Sequence, residues 1–322
     1  MHGLKRLIVA AAVVLSGGAA ALAQSDYPAK PIRLLVGFPP GSSADIAARV
    51  VGQRMSQILG QQVVVESRPG AGSSIAAEQA ARADKDGYTL FMLSSANITN
   101  EAINPALPFK VARDFAPIAL IDTTAVILVV HPSTGVGDLK SLIALAKSKP
   151  GELNYASTGV GTAPHLSGEL LSQRAGIKIQ HVPYKGSPEA ATDLLAGRVS
   201  MMFSPASAVV AQIKGGGLKV LATATGKRLG ILPEVPTMAE AGMPDFDTSI
   251  WFGLVAPVGT PKPIIDKLAK AAGEATAMPE VIKAWEPQGI IALSGGPDEF
   301  ARHIASETKR WNEVATAAGL KK

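Results

Sequence analysis

Ile32-Arg-Leu-Leu-Val-Gly-Phe38-Pro-Pro-Gly-Ser-Ser-Ala-Asp45 is the stretch whose reading sets the fold class. Ile32 to Phe38 is apolar except for Arg33, the pattern of a strand buried on both faces of a parallel sheet. Pro39, Pro40 and Gly41 break it. After Asp45, the residues Ile46, Val50, Val51, Met55, Ile58 and Leu59 recur at near-helical spacing, and Gly60 ends the helix. A strand that passes through a glycine/serine turn into a helix leaves unpaired N–H groups at the helix start, a ready anion site.

The same unit repeats along the chain. Val63 to Glu66 reads as a second strand. Arg68 to Gly72 is a loop, with Ser73 or Ser74 as cap of an Ala-rich helix running to Ala83, and Tyr88 to Leu93 is a third strand. These form a βαβαβ half of a doubly wound sheet. Ile118 to Val130 is a β-prone stretch long enough to leave one lobe and enter another. Beyond it, strands over 153–156, 177–182, 199–203 and 218–222 alternate with helices over 139–146, 164–174, 188–196 and 206–213. Ile250 to Ala256 is a strand leading back, followed by helices over 261–277 and 300–318. The expected fold is α/β with two lobes and two crossings. Lobe one comprises residues 24–124 plus 251–322, and lobe two residues 125–250.

A second glycine/serine loop, Ser157-Thr-Gly-Val-Gly-Thr-Ala-Pro-His165, also joins a strand to a helix. Pro164 stands where the third glycine of a dinucleotide fingerprint would be, and no G-x-x-x-x-G-K-[ST] occurs, which argues against nucleotide binding. The two loops supply the candidate binding residues Phe38, Gly41, Ser42, Ser43, Ala44 and Asp45 on one side. Ser157, Thr158, Gly159, Thr162 and His165 come from the other. Asp45 is acidic and is expected to order its loop rather than touch an anion. His165 lies four residues before Glu169, but no third ligand is suggested nearby, so no metal is expected. His131, His181 and His303 read as isolated. Ser67, Ser95 and Ser204 follow or end strands, where ligands of open α/β sheets bind.

The N-terminus carries Lys5 and Arg6, an apolar run from Leu7 to Leu15, and small residues ending Ala21-Leu-Ala23. That is the pattern of a secretory signal peptide over residues 1–23, and it implies export. The apolar run is shorter than the roughly 20 residues of a spanning helix. Removing Lys5 and Arg6 with the leader lowers the formal charge from +5 to about +3. The basic residues are scattered and aromatics make up 5%, so nucleic-acid binding is poorly supported. The chain has 0 cysteines, so no disulfide holds the exported fold and no cysteine nucleophile exists. With no G-x-S-x-G and no H-E-x-x-H, nothing asks for catalysis or a cofactor.

These residues resemble the Bug family, the solute receptors of tripartite tricarboxylate transporters, over nearly the whole mature chain. The likeness rests on Tyr27-Pro28, Phe38-Pro-Pro-Gly41 with Asp45, Glu66-Ser-Arg-Pro-Gly-Ala-Gly72, Asp86-Gly-Tyr-Thr-Leu90 and Asp114-Phe-Ala-Pro-Ile118. It continues through Tyr155-Ala-Ser-Thr-Gly159, Val182-Pro-Tyr-Lys-Gly186, Pro233-Glu-Val-Pro-Thr237, Trp251-x-Gly253 and Ala256-Pro-x-Gly-Thr-Pro261. The resemblance implies a two-lobed binding protein of type II topology that closes on a small mono- or dicarboxylate, aromatic ones included. It implies location in the periplasm and membrane permease subunits as partners, and a monomer is expected. A receptor presenting its ligand to a membrane sensor kinase is the alternative, and an exported hydrolase a more distant one. The chain departs from the family at Ser42, where glycine is usual, at Ser67, where asparagine is usual, and at Ser204, where aspartate is often found. Loss of an acid at Ser204 removes a partner for a ligand ammonium group, which favours plain carboxylates over amino acids.

Overall fold

The computed structural model describes residues 27–317, and the signal peptide read over 1–23 lies outside the described residues. The chain builds two sheets. The first has the order β11-β4-β10-β3-β1-β2. Its members are β1 (Ile32–Val36), β2 (Val63–Ser67), β3 (Thr89–Ser94), β4 (Phe115–Thr124), β10 (Ile250–Pro257) and β11 (Ile290–Gly295). The second has the order β7-β6-β8-β5-β9, from β5 (Val126–Val130), β6 (Asn154–Ser157), β7 (Gln180–Pro183), β8 (Met201–Pro205) and β9 (Lys219–Thr223).

Both sheets are mixed rather than wholly parallel. In lobe one β10 runs antiparallel between β3 and β4, and in lobe two β5 runs antiparallel between β8 and β9. The crossing strands are inverted, β5 entering lobe two and β10 returning from it, and the edge strand β11, antiparallel to β4, is inverted as well. The β-prone stretch over 118–130 is two strands, β4 and β5, split at Ala125. There the Ala125 N–H donates to the Gly289 carbonyl (3.3 Å), and its own carbonyl accepts from the Ala206 N–H (2.8 Å). One residue thus holds one hydrogen bond to each lobe. The second crossing runs through Thr248, whose N–H donates to the Ala224 carbonyl (3.0 Å), into β10.

Helices α1 (Ser43–Leu59), α2 (Ser74–Ala81), α3 (Ser95–Ile103) and the one-turn α4 (Val111–Asp114) belong to the first pass through lobe one. Lobe two carries α5 (Leu139–Ser148), α6 (Ala163–Ala175), α7 (Ser187–Leu195) and α8 (Ala206–Lys214). The chain ends with α9 (Lys262–Ala277), α10 (Pro279–Trp285) and α11 (Pro297–Ala317). α1 stops as read, with Gly60 in the left-handed region at φ 70° and its N–H on the Ser56 carbonyl. α2 starts differently. Ser73 is itself left-handed (φ 77°), and its side chain makes no cap, because three preceding residues, Gly70 to Gly72, also take positive φ and turn it away.

The elements that sequence reading misses are α3, the one-turn α4, α10 and β11. α3 is buried at seven of its nine residues, Ser95 to Thr99 with Ala102 and Ile103, so it has no polar stripe to mark its period. Its start is set instead by a capping box: Asn97 Oδ1 accepts from the Ser94 N–H and hydroxyl, both at 3.0 Å.

Lobe one is closed on its outer side by α11. Phe300 is fully buried, and its ring lies on β10 where Gly253 has no side chain; a Cβ there would overlap the ring. Gly253→Ala is therefore expected to cost roughly 1–3 kcal/mol by overpacking, read as a lowered melting temperature. An unchanged transition would show that Phe300 moves aside freely.

Candidate ligand-binding cleft

The first loop is ordered from within. The Ser42 hydroxyl accepts from the Asp45 N–H (3.3 Å), capping α1. The Asp45 carboxylate accepts from the Gly41 N–H (2.9 Å) and pairs with Arg49 Nε (2.9 Å). Gly41 sits at φ 79°, where a side chain is strained. Asp45 thus spends its charge on the loop and on Arg49. The Ser43 and Ala44 N–H groups, first in the helix, have no acceptor within it.

The second loop is tied down more heavily. The Ser157 hydroxyl lies 2.6 Å from His181 Nε2 and accepts from the Gly159 N–H (3.1 Å). The Thr162 hydroxyl donates to the Gly159 carbonyl (2.7 Å), and His165 Nδ1 accepts from the Gly161 N–H (3.2 Å). The Ala163 N–H remains at the start of α6, and Pro164 has none.

His181 is not the isolated residue expected. Its ring stacks on Tyr155 (centroids 4.9 Å) and lies against His165 (4.2 Å), and Tyr155 donates to Glu169 (2.6 Å). Chain distance hid this cluster: β6 and β7 pair in parallel and set Tyr155 beside His181. Burial, helped by the neighbouring His165, pushes the His181 pKa down to about 4. The unfolded chain therefore binds a proton that the folded one refuses between about pH 6.5 and 4, and stability falls as pH drops through that window. His181→Gln is expected to flatten this acid limb in thermal melts at pH 4–7; parallel curves would exclude His181 as the cause. Among the described residues, no group of three or more His, Cys, Asp or Glu could hold a metal.

The two loops do not meet head-on. Pro39 and Gly41 of the first face Gly186 and Pro188 at the start of α7: a Cβ on Gly186 would lie 2.5 Å from the Pro39 ring, and one on Gly41 3.7 Å from Pro188. The second loop instead meets α3 and the turn before α2. Thr99 donates to the Gly161 carbonyl, Asn100 Nδ2 donates to the Gly72 carbonyl (3.0 Å), and a Cβ on Gly72 would lie 2.7 Å from the Val160 carbonyl.

Between these contacts lies a small cavity. Lobe one lines it with Phe38, Ser42, Ser43, Ser94, Ser95 and Ala96. Lobe two adds Thr158, Thr162, Ala163, Ser187 and Pro205, and the returning strand adds Ile250 and Phe252. No charged side chain is in its lining. The helices α1, α3, α6 and α7 all begin there, so their N-terminal partial charges converge on one space.

Of the residues read from the sequence, Phe38, Ser42, Ser43, Ser95, Thr158 and Thr162 line this cavity. Gly41, Ala44, Asp45, Ser157, Gly159 and His165 build the loops around it. Ser67 ends β2 away from the lining, and Ser204 is buried in β8, donating to the Pro205 carbonyl (3.0 Å). Ser94, Ala96, Ala163, Ser187, Pro205, Ile250 and Phe252 are additions from the structure. Ser94 and Asn97 form an N-cap signal that could have marked α3; for Ser187 the Gly186-Ser-Pro188 helix start was the available cue.

Comparison with known proteins agrees with this fold. The profile of the tripartite tricarboxylate transporter family receptor matches residues 47–320. The chain belongs to that receptor family. BugT of Bordetella pertussis is 38% identical to this receptor over 324 residues, covering 100% of this chain and 99% of BugT. The structure of the periplasmic binding protein BugD superposes with a TM-score of 0.89 at 31% identity, covering 92% of this chain and 100% of that one. MatC from Rhodopseudomonas palustris with bound malate superposes at 0.86 with 30% identity, covering 89% and 99%. The Bug-family resemblance and the two-lobed α/β fold read from the sequence are thereby borne out. Among the described residues of the receptor, no helix is long and apolar enough to cross a membrane.

Proposed function

We propose that this receptor is exported to the periplasm behind its cleaved leader, closes as a monomer around one small carboxylate, and delivers it to its membrane permease. Residues 24–124 with 251–322 act as one body and residues 125–250 as the other, turning about Ala125 and the segment before Ile250. The observation that carries the reading is the convergence of four helix starts, from both lobes, on a cavity with no charged lining. Such a site neutralises an anion with N–H groups and hydroxyls. An ammonium group would find no carboxylate there, which favours plain acids over amino acids. The carboxylate bridges the lobes, and contacts available only in the closed form shift the population toward it.

Ser43→Pro tests this. Residue 43 is the first of α1, where proline is tolerated, and Ser42 is already extended (φ −73°, ψ 162°), as a residue before proline must be. The exchange removes one N–H and one hydroxyl from the cavity and leaves the helix standing. Calorimetric titration with a panel of short carboxylates should show affinity reduced by about tenfold or more at an unchanged melting temperature. Equal affinity would exclude the α1 start as a ligand site.

A further inference from the structure

Two hydroxyls of the cleft are buried and make no hydrogen bond: Ser95 Oγ and Ser187 Oγ, in residues that are 2% and 1% exposed. Three of their neighbours on the cavity wall are engaged. Ser42 Oγ caps α1, Ser94 Oγ donates to Asn97, and Thr162 Oγ1 donates to the Gly159 carbonyl. Serines deeper in a helix can satisfy themselves on the carbonyl four residues back, as Ser56 does on Gly52 and Ser167 on Ala163. Ser95 and Ser187 cannot, because each is the first residue of its nine-residue helix and no helical carbonyl lies beneath it. A hydroxyl held dry and unpaired is costly, so its natural partner is whatever fills the cavity.

The pair also has a place. Ser95 follows β3, which pairs directly with β1, and Ser187 follows the loop after β7, which pairs directly with β6. The strand leading to each hydroxyl therefore lies about one strand spacing, about 5 Å, from the strand leading to the glycine/serine loop of its own lobe. That offset is on the scale of a small molecule. Phe38, Ile250, Phe252 and Pro205 supply apolar wall for a carbon chain.

We infer that Ser95 and Ser187 are the specificity-determining pair of the cleft, donating to a second oxygen-bearing group on the ligand beyond the carboxylate held at the α1 and α6 starts. The inference rests on the carboxylate reading above. It makes the receptor select diacids over monoacids of equal chain length. A monoacid places a methyl group where two buried hydroxyls and the N–H groups of Ser95, Ala96 and Ser187 need an acceptor. A ligand with an ammonium group at that end faces the N–H donors of three residues, with no carboxylate in the lining to balance its charge.

The experiment is calorimetric titration of the full mature chain with two matched pairs, succinate against butyrate and adipate against hexanoate. It uses the wild type, Ser95→Ala, Ser187→Ala, the double variant, and Ser207→Ala, whose hydroxyl is also buried and unpartnered but off the cavity lining. The wild type should prefer the diacid of at least one pair. Each cleft variant should lose about tenfold in affinity for it and change less than twofold for the monoacid, the double variant should lose the preference, and Ser207→Ala should match the wild type. If the wild type binds carboxylates and the single variants leave diacid affinity unchanged, or weaken diacid and monoacid equally, the assignment of the two hydroxyls is overturned. If the wild type binds none of the four acids, the carboxylate reading itself fails and this inference falls with it.

Discussion

Asp122→Asn is expected to raise the melting temperature, and to raise it far more at pH 8 than at pH 4. Asp122 lies on β4 between Phe252 of β10 and Ala292 of β11 and is fully buried. Its Oδ1 accepts from the Thr124 hydroxyl (3.1 Å), while Oδ2 has no partner. Burial pushes its pKa up to about 8, so the folded protein keeps it neutral at physiological pH. The unfolded chain releases that proton near the ordinary pKa of about 3.9. Between those values the native state binds more protons than the unfolded one, so stability falls as pH rises from about 4 to about 8. At one pKa unit per about 1.4 kcal/mol, the penalty at neutral pH is on the order of 2–4 kcal/mol. Asparagine has the shape of the neutral acid, keeps an acceptor for Thr124 and escapes the penalty. Thermal melts of both proteins from pH 4 to 8 should diverge with rising pH. Parallel curves would mean that Asp122 is solvated or paired in solution.

Gly161→Ala is expected to weaken ligand binding without touching the ligand. Gly161 takes φ 78°, and a Cβ there would overlap Asn100 Oδ1 across the lobe boundary. The left-handed strain is present whether the lobes are open or closed and cancels from the closing equilibrium. Under the proposed closing motion, the collision with Asn100 exists only when they are closed. An overpacked contact of about 1–3 kcal/mol that acts on one state alone lowers apparent affinity by about tenfold to a hundredfold. Solution scattering at saturating ligand should still show a compact particle, reached at higher concentration. The second-site change Asn100→Ala should restore affinity in the Gly161→Ala background and have a smaller effect alone, the pattern of directly coupled residues. No rescue would place the defect in loop strain rather than closure.

Much of the molecule was legible because its units are local. A buried parallel strand is a continuous apolar run, an amphipathic helix repeats on its period, and a glycine/serine break between them marks the turn; β1, α1, β6 and α6 all announce themselves in this way. Ser42, Ser43, Thr158 and Thr162 could be named as cleft residues because they sit in those turns. α3 could not, since a helix buried on nearly every side has no period to read, and with it went Ser94 and Ala96. His181 looked isolated because a side chain's neighbours across a parallel pair lie some two dozen residues away in the chain.

Taken alone, the chain's residue order determined its family, its two α/β lobes and the two backbone loops that open helices toward a ligand, all consequences of patterns shorter than about twenty residues. Tertiary structure alone decided which loops confront each other. Pro39 meets Gly186 and Gly161 meets Asn100, not loop against loop. The reason is physical: a helix start's direction depends on its strand's rank in the sheet, and that rank is set by long-range pairing that no local stretch encodes.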